Sequence, residues 1–174
     1  SGFDIGRGLL AAALLRDLGE ESRNKVLEAA ASAFGLPDVR GVLYAAYTHR
    51  WPRREIASLS RLASELAQQG DDRAREVIRA AMMRAADQVC ALAKRLQWES
   101  TRFRYSATGG VVLNSPFARD ALLLALRERL PLLEYEAPRV RPVLGCAVEG
   151  IIRTGWLPPQ QAVQRLQGQE STSP

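Results

Sequence analysis

The first 98 residues place apolar side chains at intervals of three and four residues, the spacing of a buried helix face. This pattern is interrupted at Gly19, Gly35, Gly70 and the Trp51-Pro52 step, since glycine commonly follows a helix and the residue before proline leaves the helical region. The pattern therefore predicts five helices, over residues 4–18, 20–34, 37–50, 53–69 and 72–96.

The period of the pattern changes after Trp98. Residues 102–106 alternate large apolar and polar side chains, which predicts a β-strand. The following residues predict a helix over 116–130, a second short strand over 131–137 and a last core helix over 142–154. At most a minor helix begins at Pro158-Pro159, and the polar residues 168–174 predict a disordered tail.

Two adjacent glycines lie between the first predicted strand and the next helix, in the segment Ser106-Ala-Thr-Gly-Gly-Val-Val-Leu-Asn-Ser-Pro116. Adjacent glycines permit backbone torsions closed to other residues and leave no side chain above the peptide plane. A flat group such as a nucleobase can then approach the main chain closely. An ordinary turn between a strand and a helix is the alternative interpretation.

Two further segments give this turn a context. The chain begins Ser1-Gly-Phe-Asp-Ile-Gly-Arg7, and Arg141-Pro-Val-Leu-Gly-Cys-Ala-Val-Glu149 lies near its end. With the strand, Gly-Gly and Asn unit between them, the three segments resemble, in order, the BadF/BadG/BcrA/BcrD-type ATPase family, which includes the N-acetylglucosamine kinases. The resemblance covers residues 1 to about 155, and Cys146 stands where that family usually has alanine.

The resemblance implies an α/β fold: an incomplete ribonuclease H-like (actin-like ATPase) C-terminal domain with a dominant helical subdomain and a small residual sheet. That domain would span 1–155, helical over 1–98 and α/β with the adenosine motif over 99–155, followed by a short helix and disordered tail over 156–174. The family's Asp-Gly-Gly-Gly-Thr and Gly-Thr-Gly-Ser phosphate loops do not occur in this sequence. We therefore expect the C-terminal portion of such a protein.

The implied function is that of the nucleotide-binding portion of an ATP-dependent amino-sugar kinase or related ATPase, with ATP and Mg²⁺ as cofactors of the full-length protein. The residues carried over as nucleotide contacts are Thr108, Gly109, Gly110, Asn114, Gly2 and Ile5. Two alternatives stay open: Asn114 is also suited to capping the helix at Pro116, and Gly2, Ile5 and Gly6 are also suited to close packing of their helix on the sheet. No catalytic residue is assigned, since no carboxylates are paired as acid and base.

The charge balance changes this interpretation little. The net charge is +5 and the isoelectric point about 9.8, and the basic residues are nearly all arginine, Lys25 and Lys94 excepted. Because the arginines alternate with Asp and Glu along helices, they indicate a solvated, salt-bridged surface and no nucleic-acid partner. A self-associated homodimer is expected through an exposed sheet edge and apolar face. A helical protein-interaction module without catalytic activity is the alternative function.

Cysteine and histidine usage gives no sign of a metal site. Cys90 and Cys146 lie in apolar helical patterns, which predicts buried free thiols, and the sole histidine, His49, is interpreted as a helix-end cap. No apolar run approaches the ~20 residues that span a bilayer, and no signal-peptide pattern is present. A cytoplasmic location without a membrane partner is therefore expected.

Overall fold

The computed structural model describes residues 1–47, 53–138, 142–158, 160, 161 and 164. The predicted break at Trp51-Pro52, the capping role of His49 and the tail over 168–174 lie outside the described residues. The elements are α1 (Gly2–Leu14), α2 (Glu20–Ala33), α3 (Val39–Tyr47), α4 (Arg53–Gln68), α5 (Asp72–Arg95), β1 (Phe103–Tyr105), α6 (Gly110–Asn114), α7 (Pro116–Arg127), β2 (Leu133–Tyr135) and α8 (Pro142–Arg153).

The chain divides into two compact units. The first comprises Ser1–Arg104 with Gly109–Glu134, and the second comprises Tyr105–Thr108 with Tyr135–Pro174. In the first unit α1 packs against α2, α4 and α5, while α7 packs along α5. Fully buried aliphatic side chains from these helices form its core, among them Ile5, Leu9, Leu27, Ile78 and Leu126.

The contact between α1 and α4 is the most extensive in the first unit, and a glycine makes it possible. A Cβ atom added at Gly6 would lie 1.8 Å from the carbonyl oxygen of Ile56. The two backbones therefore approach closely at this point, and a helix residue with any side chain would force them apart.

Side-chain caps fix where two of the long helices begin. The Asp71 carboxylate accepts a hydrogen bond of 2.9 Å from the Ala74 amide at the start of α5. The Ser115 hydroxyl accepts one of 3.4 Å from the Ala118 amide at the start of α7, and Pro116 follows it, where its missing amide proton costs nothing.

The expected α/β, ribonuclease H-like fold is wrong. The chain is 70% helical, and its described residues form a single parallel sheet of two strands, β1 and β2, each of three residues. Apolar residues elsewhere recur at helical rather than alternating spacing, so further strands do not form in the described part. A sheet this small cannot supply the layer on which α/β helices pack, and the core of the first unit is helix against helix.

The second unit contains α8 and the ends of both strands. The Glu136 amide donates to the Tyr105 carbonyl at 2.9 Å, and Arg153 pairs with Glu149 at 2.6 Å on α8. Burial, with a smaller effect of Tyr135, raises the pKa of the Tyr105 phenol. None of the described α8 side chains, residues 143–153, is buried.

Both cysteines are free, but Cys146 is exposed and Cys90 half-buried, so the prediction that they are buried is wrong. Among the helices of the described residues, none has both the length and the apolar character needed to cross a bilayer.

Candidate functional site

The Gly-Gly turn follows β1 and leads directly into a short helix. Gly109 has φ +106° and ψ 153°, a backbone region that residues with a side chain hardly ever occupy. Gly110 is the first residue of α6, and α6 ends at Asn114, immediately before the Ser115 cap of α7. Gly109 therefore makes the reversal, while Gly110 lies in ordinary helical backbone.

An open cleft of about 740 Å³ lies between α4, α6 and the start of α1, all within the first unit. Helix α4 lines it with two arginines, three serines, Glu65, Gln68 and Ala57, and α6 lines it with Gly110, Val111 and Asn114. Gly2 closes the end at α1. This volume is in the range of small-molecule sites, about 300–1,000 Å³. We call this space the α4–α6 cleft.

Three of the six nucleotide-contact residues expected from the sequence line this cleft: Gly2, Gly110 and Asn114. Gly109 directly precedes Gly110 and sets the direction of α6. Ile5 is fully buried and its side chain belongs to the core. Thr108 belongs to the second unit.

The capping alternative for Asn114 does not apply, since Ser115 caps α7. Asn114 is exposed at the end of α6, and in the described part of the chain no hydrogen bond occupies its side chain. Its Nδ2 lies 3.7 Å from the point where a Gly110 Cβ would stand. The amide, with its donor and acceptor, is therefore available beside the bare backbone of Gly110.

Gly2 serves the packing alternative as well as the cleft. A Cβ there would lie 3.2 Å from Ser60 Oγ and 3.3 Å from the Ala57 carbonyl oxygen. The close packing expected for Gly2 and Gly6 therefore takes place, but against helix α4 rather than against a sheet. Because Gly2 lines the cleft too, its two roles do not exclude each other.

Serine hydroxyls join α4 to the junction of α6 and α7. Ser64 Oγ lies 3.0 Å from Ser115 Oγ and 3.1 Å from the Ser60 carbonyl oxygen. A hydroxyl has one proton, so Ser64 donates to the Ser60 carbonyl while Ser115 donates to Ser64 and accepts from the Ala118 amide. Ser115 is 2% exposed, and its buried hydroxyl both donates and accepts a hydrogen bond in this arrangement.

The contribution of α4 was not predicted from the sequence, because its apolar stripe indicates only a structural helix. Its arginines, Arg54 and Arg61, are exposed in the cleft, and Glu65 is the one carboxylate among the residues that line it. The described residues contain no group of three or more His, Cys, Asp or Glu side chains placed to hold a metal ion. The sequence feature that could have indicated the site is the polar face of α4, where Ser60 and Ser64 are one turn apart.

The cleft suits binding rather than acid–base chemistry. Its lining carries two positive charges and one negative charge, hydroxyls, the side-chain amides of Gln68 and Asn114, and bare backbone. Such a lining can recognise a polar, anionic small molecule that also has a flat part. Comparison with models of known protein families finds no match for this chain, and comparison with curated proteins finds none either.

Proposed function

We propose that the chain binds an adenine nucleotide, ATP in the first place, in the α4–α6 cleft, as the C-terminal nucleotide-binding portion of an ATP-dependent amino-sugar kinase or related ATPase. The observation that carries the proposal is that Gly2, Gly110 and Asn114, which the motifs assign to nucleotide contact, line one cleft although about 110 residues separate them. The segment at the start of the chain and the Gly-Gly segment do not have to lie close together for either one to form.

The chemistry of the lining fits the base. Gly110 presents backbone without a side chain, on which the face of an adenine ring can lie. Asn114 offers a donor and an acceptor side by side, the pair that recognises the N6 and N7 edge of adenine. The hydroxyls of Ser58 and Ser60 also line the cleft, and each donates to a backbone carbonyl of α4, at 2.6 and 2.7 Å. Their oxygens can therefore still accept hydrogen bonds from a ribose.

The lining of the cleft fits Mg²⁺ less well than it fits the base. Glu65 alone supplies a carboxylate to the cleft, and Mg²⁺ is held in nucleotide sites by one or two carboxylates together with the phosphates. The described residues therefore do not form a magnesium site of their own, and no catalytic step is assigned to this chain. We also propose three properties that are expected from the sequence alone. These are transfer of phosphate to an amino sugar, a homodimeric state and a cytoplasmic location.

A protein-interaction module is the second candidate, favoured by the surface of α8. Val143 is 68% exposed and Trp156, just beyond the helix, is 80% exposed. An apolar helix with no buried described side chain is typical of a surface that another chain or domain covers. Self-association through α8 would make the chain dimeric, and light scattering at high micromolar concentration would show it.

Titrations of adenosine and ATP into Gly110→Val and wild type test the nucleotide proposal. Valine at 110 places a branched side chain where the base would lie, and we expect binding of both ligands to weaken about tenfold or more, equivalent to about 1.4 kcal/mol. Gly150→Val is the matched control, because Gly150 is also a helical glycine and a Cβ there meets nothing within 4 Å. Unchanged affinity in a folded Gly110→Val protein would show that the Gly-Gly pair is an ordinary turn.

A further inference from the structure

Two arginines in the α4–α6 cleft carry charges that nothing in the described part of the chain neutralises. Arg54 and Arg61 are both exposed, and neither forms an ion pair or hydrogen bond there. Some other arginines of the first unit are paired, such as Arg84 with Asp4 at 2.8 Å and Arg73 with Asp17 at 3.1 Å, and some are not, such as Arg95. What distinguishes Arg54 and Arg61 is that both line the cleft, where their guanidinium groups can reach a ligand.

Arg54 and Arg61 lie on the same face of α4, two turns apart. Arg54, Ser58 and Arg61 are spaced by four and three residues, so they form one stripe along the helix. The rise between the two arginines is about 10 Å at 1.5 Å per residue. Ser60 and Ser64 lie on the flank of α4 that meets α6 and its junction with α7, as shown by the hydrogen bond between the Ser64 and Ser115 hydroxyls. The arginine stripe is therefore the other side of the same cleft.

We infer that Arg54 and Arg61 bind the phosphate groups of a nucleoside di- or triphosphate whose base lies at Gly110 and Asn114. The position of the base depends on the proposed function. The position of the phosphates depends only on the two arginines. Guanidinium groups bind phosphate oxygens through paired N–H donors. The Ser58 hydroxyl between them donates to the Glu55 carbonyl at 2.6 Å, so the two arginines are the donors that remain for an anion.

The charges along α4 also fix which way the phosphates point. Glu65 follows Arg61 by one turn and repels an anion placed near it. Arg54 lies in the first turn of α4, where the helix carries its partial positive charge. The phosphate chain therefore runs from Arg61 toward Arg54, away from Glu65.

Calorimetric titrations of the 174-residue chain with inorganic pyrophosphate, adenosine and ADP at low salt test this inference. We expect pyrophosphate to bind and ADP to bind about tenfold tighter than adenosine, a gain typical of a few charge-assisted hydrogen bonds at an exposed site. The double variant Arg54→Ala/Arg61→Ala should lose pyrophosphate binding and the ADP gain but keep its adenosine affinity. Arg95→Ala, an exposed helical arginine outside the cleft, is the matched control and should behave as wild type.

The outcomes separate the two proposals. Equal affinity for adenosine and ADP, or pyrophosphate binding that survives in the double variant, overturns the inference and leaves the adenosine site standing. Pyrophosphate binding that needs both arginines, without any adenosine binding, overturns the proposed function and leaves an anion site. Binding of none of the three probes overturns both. Added salt should weaken the binding of pyrophosphate and leave the binding of adenosine unchanged, because salt screens the exposed charges.

Discussion

Replacement of Gly6 by alanine should destabilise the protein through one backbone contact. The new Cβ would stand 1.8 Å from the Ile56 carbonyl oxygen, whereas carbon and carbonyl oxygen in close contact are about 3.3 Å apart. Helices α1 and α4 would have to separate by about 1.5 Å. A gap of 0.5–1 Å already forfeits roughly a quarter to a half of the dispersion energy of the facing atoms, and this interface is the most extensive in its unit.

The expected loss is about 3 kcal/mol in the free energy of unfolding, after about 1 kcal/mol of improved helix propensity is taken into account. The assay is urea unfolding followed by circular dichroism, read as a change in midpoint at constant slope. Gly8→Ala is the control on the same helix. Its Cβ would meet a side-chain methyl group, Val77 Cγ1, at 2.9 Å. Because valine in a helix is held in one rotamer, a shift of a few tenths of an ångström is needed, and the loss of stability should be about 1 kcal/mol, well below that of Gly6→Ala.

Equal stability of the two variants would refute the reasoning, since it would mean that α1 and α4 do not meet at Gly6. The same two variants, titrated with ATP, also test the cleft. Gly2 lies one turn before Gly6 and lines the α4–α6 cleft, so helices forced apart at Gly6 should also bind ATP more weakly than the Gly8→Ala control does.

Three further predictions concern single positions. Gly109→Ala should cost about 1–3 kcal/mol because φ is +106° there, whereas Gly110→Ala should be neutral or stabilising by up to about 1 kcal/mol; urea unfolding compares them. Ser115→Ala removes a cap and the buried partner of Ser64, and its unfolding midpoint should fall by the equivalent of about 1–2 kcal/mol. Burial raises the pKa of Tyr105 above its ordinary value of about 10, so the stability this phenol contributes is complete below pH 10 and declines as pH rises through the raised pKa; thermal melts of Tyr105→Phe should show a shallower decline above pH 10.

The helices were largely predictable because their apolar stripes are long. The predicted ranges 53–69 and 72–96 differ by one residue at most from α4 and α5. Helix α6 was not predicted, since five residues are too few to show a period of 3.6. The two strands lie inside the predicted ranges 102–106 and 131–137, but each is only three residues long. The alternation of side chains predicts extended backbone and carries no information on how many strands join a sheet.

The candidate site was predictable on one side only. Motifs pointed to Gly2, Gly110 and Asn114, which line the cleft, because glycine and asparagine have special backbone and hydrogen-bonding roles. Arg54 and Arg61 gave no such signal. An apolar stripe shows which face of α4 is buried. The sequence of the polar face is the same whether that face contacts water or a ligand. Only the packing of the other helices around α4 determines which of the two it contacts.

Neither packing nor backbone torsion requires glycine at position 110, and the same is true of Gly145 and Gly150 in α8. Gly6 is needed for close packing and Gly109 for its torsion, whereas Gly110 has helical backbone and room for a Cβ, whose nearest neighbour would be Asn114 Nδ2 at 3.7 Å. Glycine in a helix costs about 1 kcal/mol relative to alanine. Gly110 differs from Gly145 and Gly150 in that its bare backbone lines the cleft, and this position favours a functional role for it. Loss of the sheet expected beneath the turn therefore leaves the ligand argument intact, since the wall opposite Gly110 is provided by α4 instead.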